Sequence, residues 1–331
     1  MPGVNTLAFP SRPCAYALAA SSLAFLACGT TASSGSLTAA RAGDLAAGPP
    51  SAIASDIPFE SLEGPFWVAS AGTLIFSDVV ERNGRAAKIY RLDPRTRAFS
   101  TLPYPGSPVS SNGLALDDKG RLLACERWNG VLARVSGTER QLLAERAPDG
   151  QTLNAPNDLT LRKDGNIYFS DTTWGERPGD HAPTAVYRVA PDGALSVAFQ
   201  VDMPNGVVLS PDGNTLYVGS DAQDRLWRLA VAPDGSVGSP EPFGQVTDNP
   251  QSHIHVPDGL CVDDRGRVYV ANNSTEVSAI VVFDSTGRFA GRIPFPVPPS
   301  NCTFGGADRR TLYVTTLHAI YEVPMTTAGL P

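Results

Sequence analysis

From about residue 50 onward, apolar and polar positions alternate in short runs broken by turn residues, and the alternation repeats. Segments around Gly72-Thr-Leu-Ile-Phe, Gly120-Arg-Leu-Leu-Ala, Gly165-Asn-Ile-Tyr-Phe, Gly213-Asn-Thr-Leu-Tyr, Gly266-Arg-Val-Tyr-Val and Arg309-Arg-Thr-Leu-Tyr each place a polar turn before a short apolar strand. A further strand follows in most copies, as in Lys88-Ile-Tyr-Arg-Leu, Ala185-Val-Tyr-Arg-Val, Arg225-Leu-Trp-Arg-Leu and Ala319-Ile-Tyr-Glu-Val. β-Branched and aromatic residues alternating at a period of two are what a strand requires, and no useful run of helical period appears here.

The copies recur every 43 to 53 residues, the length of one four-stranded propeller blade. Six copies predict an all-β fold, a six-bladed β-propeller over residues 51–331, because a sheet that cannot bury both faces alone stacks against neighbours around a ring. The sixth copy ends soon after Tyr321, one outer strand short. The apolar stretch from Ile53 to Phe59 is expected to supply that strand.

Upstream, Arg12 precedes an apolar run from Ala15 to Ala27, too short to span a bilayer as a helix. It ends in Phe25-Leu26-Ala27-Cys28-Gly29, similar to the lipobox of bacterial lipoproteins, in which Cys28 would carry the lipid. Phe25 stands where Leu is usual, so cleavage by an ordinary signal peptidase stays open. Residues 1–28 are therefore expected to be a signal peptide, sending the chain to the periplasm or to a lipid anchor on the membrane. Residues 29–50, rich in Ser, Thr, Ala and Gly, read as a flexible linker.

Composition narrows the chemistry. With 42% hydrophobic residues among 331 the chain can build a large core, and Gly 31 and Pro 29 suit a fold full of turns. A net charge of −7 with no Lys/Arg block argues against nucleic acid or an anionic membrane surface, and is compatible with a bound cation. After Cys28 only Cys125, Cys261 and Cys302 remain, an odd number without a CxxC pair, so they read as buried structural thiols rather than a disulfide framework or zinc site. There is no GxSxG elbow, HExxH, Walker loop or strand-borne GxGxxG.

One polar position repeats with the blades. Eight residues before Gly120, Gly165, Gly213, Gly266 and Arg309 stand Asn112, Asn157, Asn205, Asp258 and Asn301, and nine before Gly72 stands Glu63. A blade's first strand lines the central channel, so these six side chains would form a ring at one mouth. Turn chemistry accounts for single Asn-Gly and Asp-Gly pairs. It accounts less well for Glu63, for Asn157 with no following glycine, and for six copies together. Oxygen donors with two carboxylates among them are what a hard dication requires.

Glu63-Gly-Pro-Phe-Trp67, Ser111-Asn-Gly-Leu-Ala115, Ala124-Cys-Glu126, Asn154-Ala-Pro-Asn-Asp158, Ile167-Tyr-Phe-Ser-Asp171, Met203-Pro-Asn-Gly-Val207, Pro257-Asp-Gly-Leu260 and Phe304-Gly-Gly306 follow one another in an order and spacing specific as a set. From about residue 55 onward the chain resembles the senescence marker protein/gluconolactonase/luciferin-regenerating-enzyme-like family, in its bacterial gluconolactonase branch. The resemblance implies one divalent cation in the central channel, held by Glu63, Asn157, Asn205 and Asp258, with Asp258 also the catalytic carboxylate. Oxygen-only ligation favours Ca²⁺, with Zn²⁺, Mn²⁺ or Mg²⁺ as substitutes. Asn112 and Asn301, the other ring members, would bind substrate or a water. Asn154, Glu126 and Trp174 are expected in the substrate pocket, with Tyr104, Trp128, His253 and His255 as further wall candidates.

Two departures bear on specificity. The animal branch carries an Arg where this chain has Ala155, and many bacterial relatives carry His where it has Arg127, read here as a solvated surface charge in preference to an anion contact. The expected activity is hydrolysis of a glucono- or xylonolactone-type substrate to the aldonic acid by a monomer, with Asp258 acting either as general base or as nucleophile. Phosphotriester or aryl-ester hydrolysis, as in the similar paraoxonases and diisopropyl fluorophosphatase, and a non-catalytic Ca²⁺-binding propeller are the alternatives.

Overall fold

Six four-stranded antiparallel sheets organise the computed structural model, which describes residues 45–79, 87–105, 111–173, 179, 181–244, 254 and 256–330. In five of them the strands follow chain order outward from an innermost strand: Leu62–Val68, Ser111–Leu116, Ala155–Leu161, Pro204–Leu209 and Pro257–Val262. These define blades 1 to 5. Each innermost strand touches the next, and Pro299–Gly305, the innermost strand of blade 6, touches Leu62–Val68, so the circle closes.

Blade 6 is assembled from both parts of the chain. Ser51–Ile53 joins its outer edge, pairing antiparallel with Ile320–Pro324 in the register Ser51/Glu322, Ala52/Tyr321 and Ile53/Ile320. The closing strand therefore lies upstream of the expected Ile53–Phe59 stretch, with Ile53 alone common to both. Pro58 has no N–H to give a ladder, and Phe59 turns inward instead, edge-on to Phe76 at 5.6 Å and to Tyr90 at 5.2 Å. Pairing also extends back into the expected linker. Ala47 N–H donates to Pro324 O at 2.7 Å, Thr326 N–H donates to Leu45 O at 3.0 Å, and Leu45 is buried in the core between blades 5 and 6. The ordered fold thus includes residues 45–50.

Apolar layers between adjacent blades hold the ring. Tyr269, Ile280 and Val282 of blade 5 pack on Leu312 and Val314 of blade 6, and Cys125 and Leu132 of blade 2 pack with Phe169 and Tyr187 of blade 3. Burying each such side chain stabilises by about 1.5–3 kcal/mol. Across the closure, Trp67 stacks on Tyr313 with centroids 5.6 Å apart. The turns read from the sequence are present: Gly120 N–H donates to Asp117 O at 2.9 Å with Gly120 at φ 72°. In the sixth copy Arg309 occupies the matching left-handed position at φ 59°.

Candidate metal centre and channel

All six repeated polar residues sit near the start of an innermost strand, and all are buried. Local backbone geometry aims them. In every blade the pairing of innermost and second strands slips at this point: between Glu63 and Phe66, Ser111 and Leu114, Pro156 and Leu159, Pro204 and Val207, Pro257 and Leu260, and Pro299 and Asn301. Asn112, Asn157, Asn205 and Asp258 fall inside the bulge, which is how a strand re-aims a side chain. Second-strand hydroxyls satisfy backbone groups that the bulge frees. Ser77 Oγ donates to Asn112 O at 2.9 Å, and Asp158 N–H donates to Ser170 Oγ at 3.0 Å.

Glycine lets adjacent bulges meet. A Cβ on Gly206 would lie 2.3 Å from Asp258 O, and one on Gly259 would lie 1.9 Å from Asn301 Cγ. No side chain fits at either place, so each innermost strand lies directly against the ring residue of the next blade.

The ring's electrostatics are those of a crowded, buried anion cluster. Glu63 Oε2 accepts from Asn301 Nδ2 at 3.4 Å and from Gly64 N–H at 3.4 Å. Burial and then the Asp158 carboxylate push the Glu63 carboxyl up to about 8. Asp258 Oδ2 accepts from Asn273 Nδ2 at 2.9 Å; burial, Glu63 and Asp221 raise its pKa well above the carboxylate range. Asp158 is lifted by burial to about 7 although Leu159 and Val207 N–H groups point at it. Asn205 Nδ2 donates to Asp221 Oδ2 at 3.2 Å, and Asn112 Oδ1 is buried without a hydrogen-bond partner among the described residues.

This donor set fits a hard dication. Carboxylates that repel one another in low dielectric and a buried amide oxygen without a donor are the groups that such an ion satisfies. Among the described residues no cluster of three His, Cys, Asp or Glu side chains has metal-binding spacing. The set instead mixes carboxylates with Asn amides, which suits calcium better than zinc. Farther along the same strands the channel opens into a cavity of about 360 Å³, faced by Asp158 and Asn301 and by apolar groups such as Trp67, Val208 and Phe304.

Several expected pocket residues have other work. Glu126 is fully buried and accepts from Tyr104 Oη at 2.6 Å, from Asn129 Nδ2 at 2.9 Å and from Arg140 Nε at 2.7 Å, with a second contact from Arg140 Nη2. Those donors engage both oxygens, so Glu126 has a structural role that the sequence does not announce, tying Tyr104, Asn129 and Arg140 together. Asn154 likewise ties its own loop, donating from Nδ2 to Asp171 Oδ2 at 3.0 Å and to Ala182 O at 2.6 Å. Arg127 corrects the surface-charge reading: it is 8% exposed, and its charge lowers the pKa of Glu63. Its positive charge therefore acts on the ring from within the fold. Trp128 is 37% exposed beside it. Trp174, His253, His255 and Cys28, with the whole of the expected signal peptide, lie outside the described residues.

Sequence reasoning passed over Asp158, Asp221 and Asn273. Asp221 and Asn273 follow the second strands of blades 4 and 5, Thr215–Ser220 and Val268–Asn272, and each meets the ring residue of its own blade. Asp78, Glu126, Asp171 and Asn272 each stand six residues after a turn glycine, but Asp221 and Asn273 stand eight and seven residues after theirs, so that period does not pick them out.

Comparison with known proteins agrees with this architecture. Residues 62–318 match the family described as the SMP-30/Gluconolactonase/LRE-like region. The gluconolactonase of Zymomonas mobilis is 28% identical over 296 residues, covering 84% of this chain and 81% of that protein. The 6-deoxy-6-sulfogluconolactonase of Pseudomonas putida is 27% identical over 256 residues, covering 77% and 82%. Among solved structures, a gluconolactonase from Xanthomonas campestris superposes with a TM-score of 0.72 at 31% identity, covering 88% of this chain and 93% of that one. A calcium-binding regucalcin from Agrobacterium tumefaciens shares the fold at a TM-score of 0.69 and 20% identity, covering 84% and 95%.

Proposed function

The chain belongs to the SMP-30/gluconolactonase/LRE-like family, and from that premise we propose that it is a lactonase which opens a sugar lactone to the aldonic acid with the help of one divalent cation. The observation that carries the reading is the buried ring in which Glu63 and Asp258 stand with amide oxygens and, among the described residues, no hydrogen-bonded cationic partner. Glu63, Asn157, Asn205 and Asp258 would hold the ion, with Ca²⁺ favoured by the oxygen donors. When bound, the ion supplies Lewis-acid polarisation of the lactone carbonyl and neutralises these carboxylates.

The chain's own groups supply the rest. Asn273 fixes the Asp258 carboxylate by donating to one oxygen. Asp258 then takes the proton of an attacking water, or attacks the carbonyl carbon itself; the first route needs only that a water sit within hydrogen-bond reach. Asn112 presents a buried amide oxygen to a substrate hydroxyl or to the cation. Arg127 offers a positive charge at the same mouth, suited to polar or anionic substituents on the sugar ring. Relatives named for gluconolactone and for its 6-deoxy-6-sulfo analogue support an aldonolactone as the substrate class. Export to the periplasm, or lipid anchoring through Cys28, would put the enzyme where extracytoplasmic sugar oxidation releases such lactones.

Acid release from gluconolactone and xylonolactone, followed with calcium, with a chelator and with Asp258→Asn, tests the proposal. Cation-dependent turnover that Asp258→Asn abolishes while melting is retained would support it. Turnover equal to the uncatalysed rate for both lactones, in a protein whose melting point calcium raises, would refute it and favour a non-catalytic propeller.

A further inference from the structure

Cys261 and Cys302 occupy neighbouring innermost strands, Pro257–Val262 of blade 5 and Pro299–Gly305 of blade 6. Their sulfurs approach to 2.8 Å, and both thiols are buried in one apolar cluster. Bond formation needs them to close to about 2.05 Å, a movement within reach of side-chain rotation. A second feature of the backbone brings these strands together. Gly259, two residues before Cys261, lies so close to Asn301, the residue before Cys302, that a Cβ would overlap the Asn301 amide. Both cysteines also border the channel cavity of about 360 Å³, which gives a small molecule a path to them. Cys125, buried in the core between blades 2 and 3, has no such partner described.

We propose that Cys261 and Cys302 form a redox-dependent disulfide that staples blade 5 to blade 6 beside the ring. The oxidant is a protein or small-molecule disulfide. One cysteine thiolate attacks a sulfur of that disulfide, forming a mixed disulfide and releasing one thiolate. The second cysteine displaces the remaining half, so the Cys261–Cys302 bond forms and the oxidant leaves as two thiols. The two protons lost by the cysteines end on those thiols, and the two electrons reduce the oxidant's S–S bond. The inference is independent of the substrate reading. Its consequence is mechanical: the bond ties the strand of Asp258 to the strand of Asn301 and fixes the width of the ring between them. Reduction leaves that boundary to packing alone.

The test uses the purified full chain, equilibrated in glutathione buffers from fully reduced to fully oxidised, and in parallel unfolded and refolded in the same buffers. Samples are then alkylated and digested with trypsin. The expected product under oxidising conditions is tryptic peptide 229–265 joined to peptide 293–309, two hydrogens lighter than their sum, with Cys125 alkylated throughout. The oxidised protein should melt about 5–10 °C above the reduced one, as expected for closing a loop of this length in a large domain. Cys302→Ser should abolish both the link and the shift, and Cys125→Ser should preserve them. Recovery of alkylated Cys261 and Cys302, or of only their mixed glutathione disulfides, after refolding in fully oxidised buffer would overturn the proposal.

Discussion

Without divalent cations, this protein should lose stability as pH rises from about 4.5 to about 8. Glu63 is raised from 4.5 to about 8 and Asp158 from 3.8 to about 7, and Asp258 is raised as well. Between the unfolded and folded values the native state holds protons that the unfolded chain has released. Unfolding then releases protons, and its free energy falls with pH. The contribution is complete below the unfolded values and is gone once pH passes the folded ones. Asp158 alone is displaced by roughly three units, at about 1.4 kcal/mol per unit, giving ~4 kcal/mol as an upper bound. Structural relaxation and water entry reduce the realised loss to about 2–4 kcal/mol. Turn aspartates such as Asp93, Asp212 and Asp284 are held below the usual range, so their stabilising effect is lost at the acid end, outside this window. Urea unfolding followed by tryptophan fluorescence in chelator should show the midpoint falling by about 1 M between pH 5 and pH 8. Calcium should restore it, and restore more at pH 8 than at pH 5. A midpoint that is flat or rising in chelator would refute the charge-cluster argument, as would calcium protection independent of pH.

Three further outcomes follow from the geometry. Gly259→Ala forces a Cβ into the Asn301 amide and should cost about 3 kcal/mol in chemical denaturation, with calcium affinity falling alongside. Glu126→Ala leaves the donors of Arg140, Tyr104 and Asn129 without their acceptor and should cost about 3–5 kcal/mol by the same measurement; a purely substrate-contacting Glu126 would lower turnover and leave unfolding unchanged. Deleting residues 45–53 removes the closing strand and the buried Leu45, and should give a chain without a cooperative melting transition.

The fold was legible because a propeller writes its period into the chain. Alternation set the strands, Asp-x-Gly turns set the phase, and six copies at blade length left few architectures. The ring was legible for the same reason, five members standing eight residues before their turn position and Glu63 nine. What escaped depends on neighbours that only folding supplies. Asp221 and Asn273 matter because the second strand's end folds back over the first, a contact that alternation does not encode. Arg127 reads as any surface arginine until the channel mouth encloses it. The closing strand was misplaced because apolarity marks both ladder strands and core anchors, and Phe59 is an anchor. Glu126 was recognisable as a motif residue, but its saturation by Arg140, fourteen positions away, was not.

Ring and closure are physically one feature. Glu63 meets Asn301, and Leu62 O accepts from Ser300 Oγ at 2.6 Å, across 238 residues of chain. These contacts join the first blade to the last, at the boundary that no continuous strand connection crosses on the inside. The proposed ligands Glu63, Asn157, Asn205 and Asp258 come from blades 1, 3, 4 and 5. An ion held by four blades has no comparable site in a chain with the circle open, so its binding free energy adds to the stability of the closed propeller. That gain is about 2.7 kcal/mol at a hundredfold excess over the dissociation constant. A substitution at the rim, such as Tyr321→Pro, which removes an N–H from the strand that receives Ser51–Ile53, should therefore weaken calcium binding at the distant axis. It should do so to the extent that the variant is open at the assay temperature, since the apparent dissociation constant is the intrinsic one divided by the closed fraction. Calcium titration by calorimetry at a temperature where the variant is partly open, compared with the parent chain, measures that coupling directly; unchanged affinity there would separate the ring from the closure and break the argument.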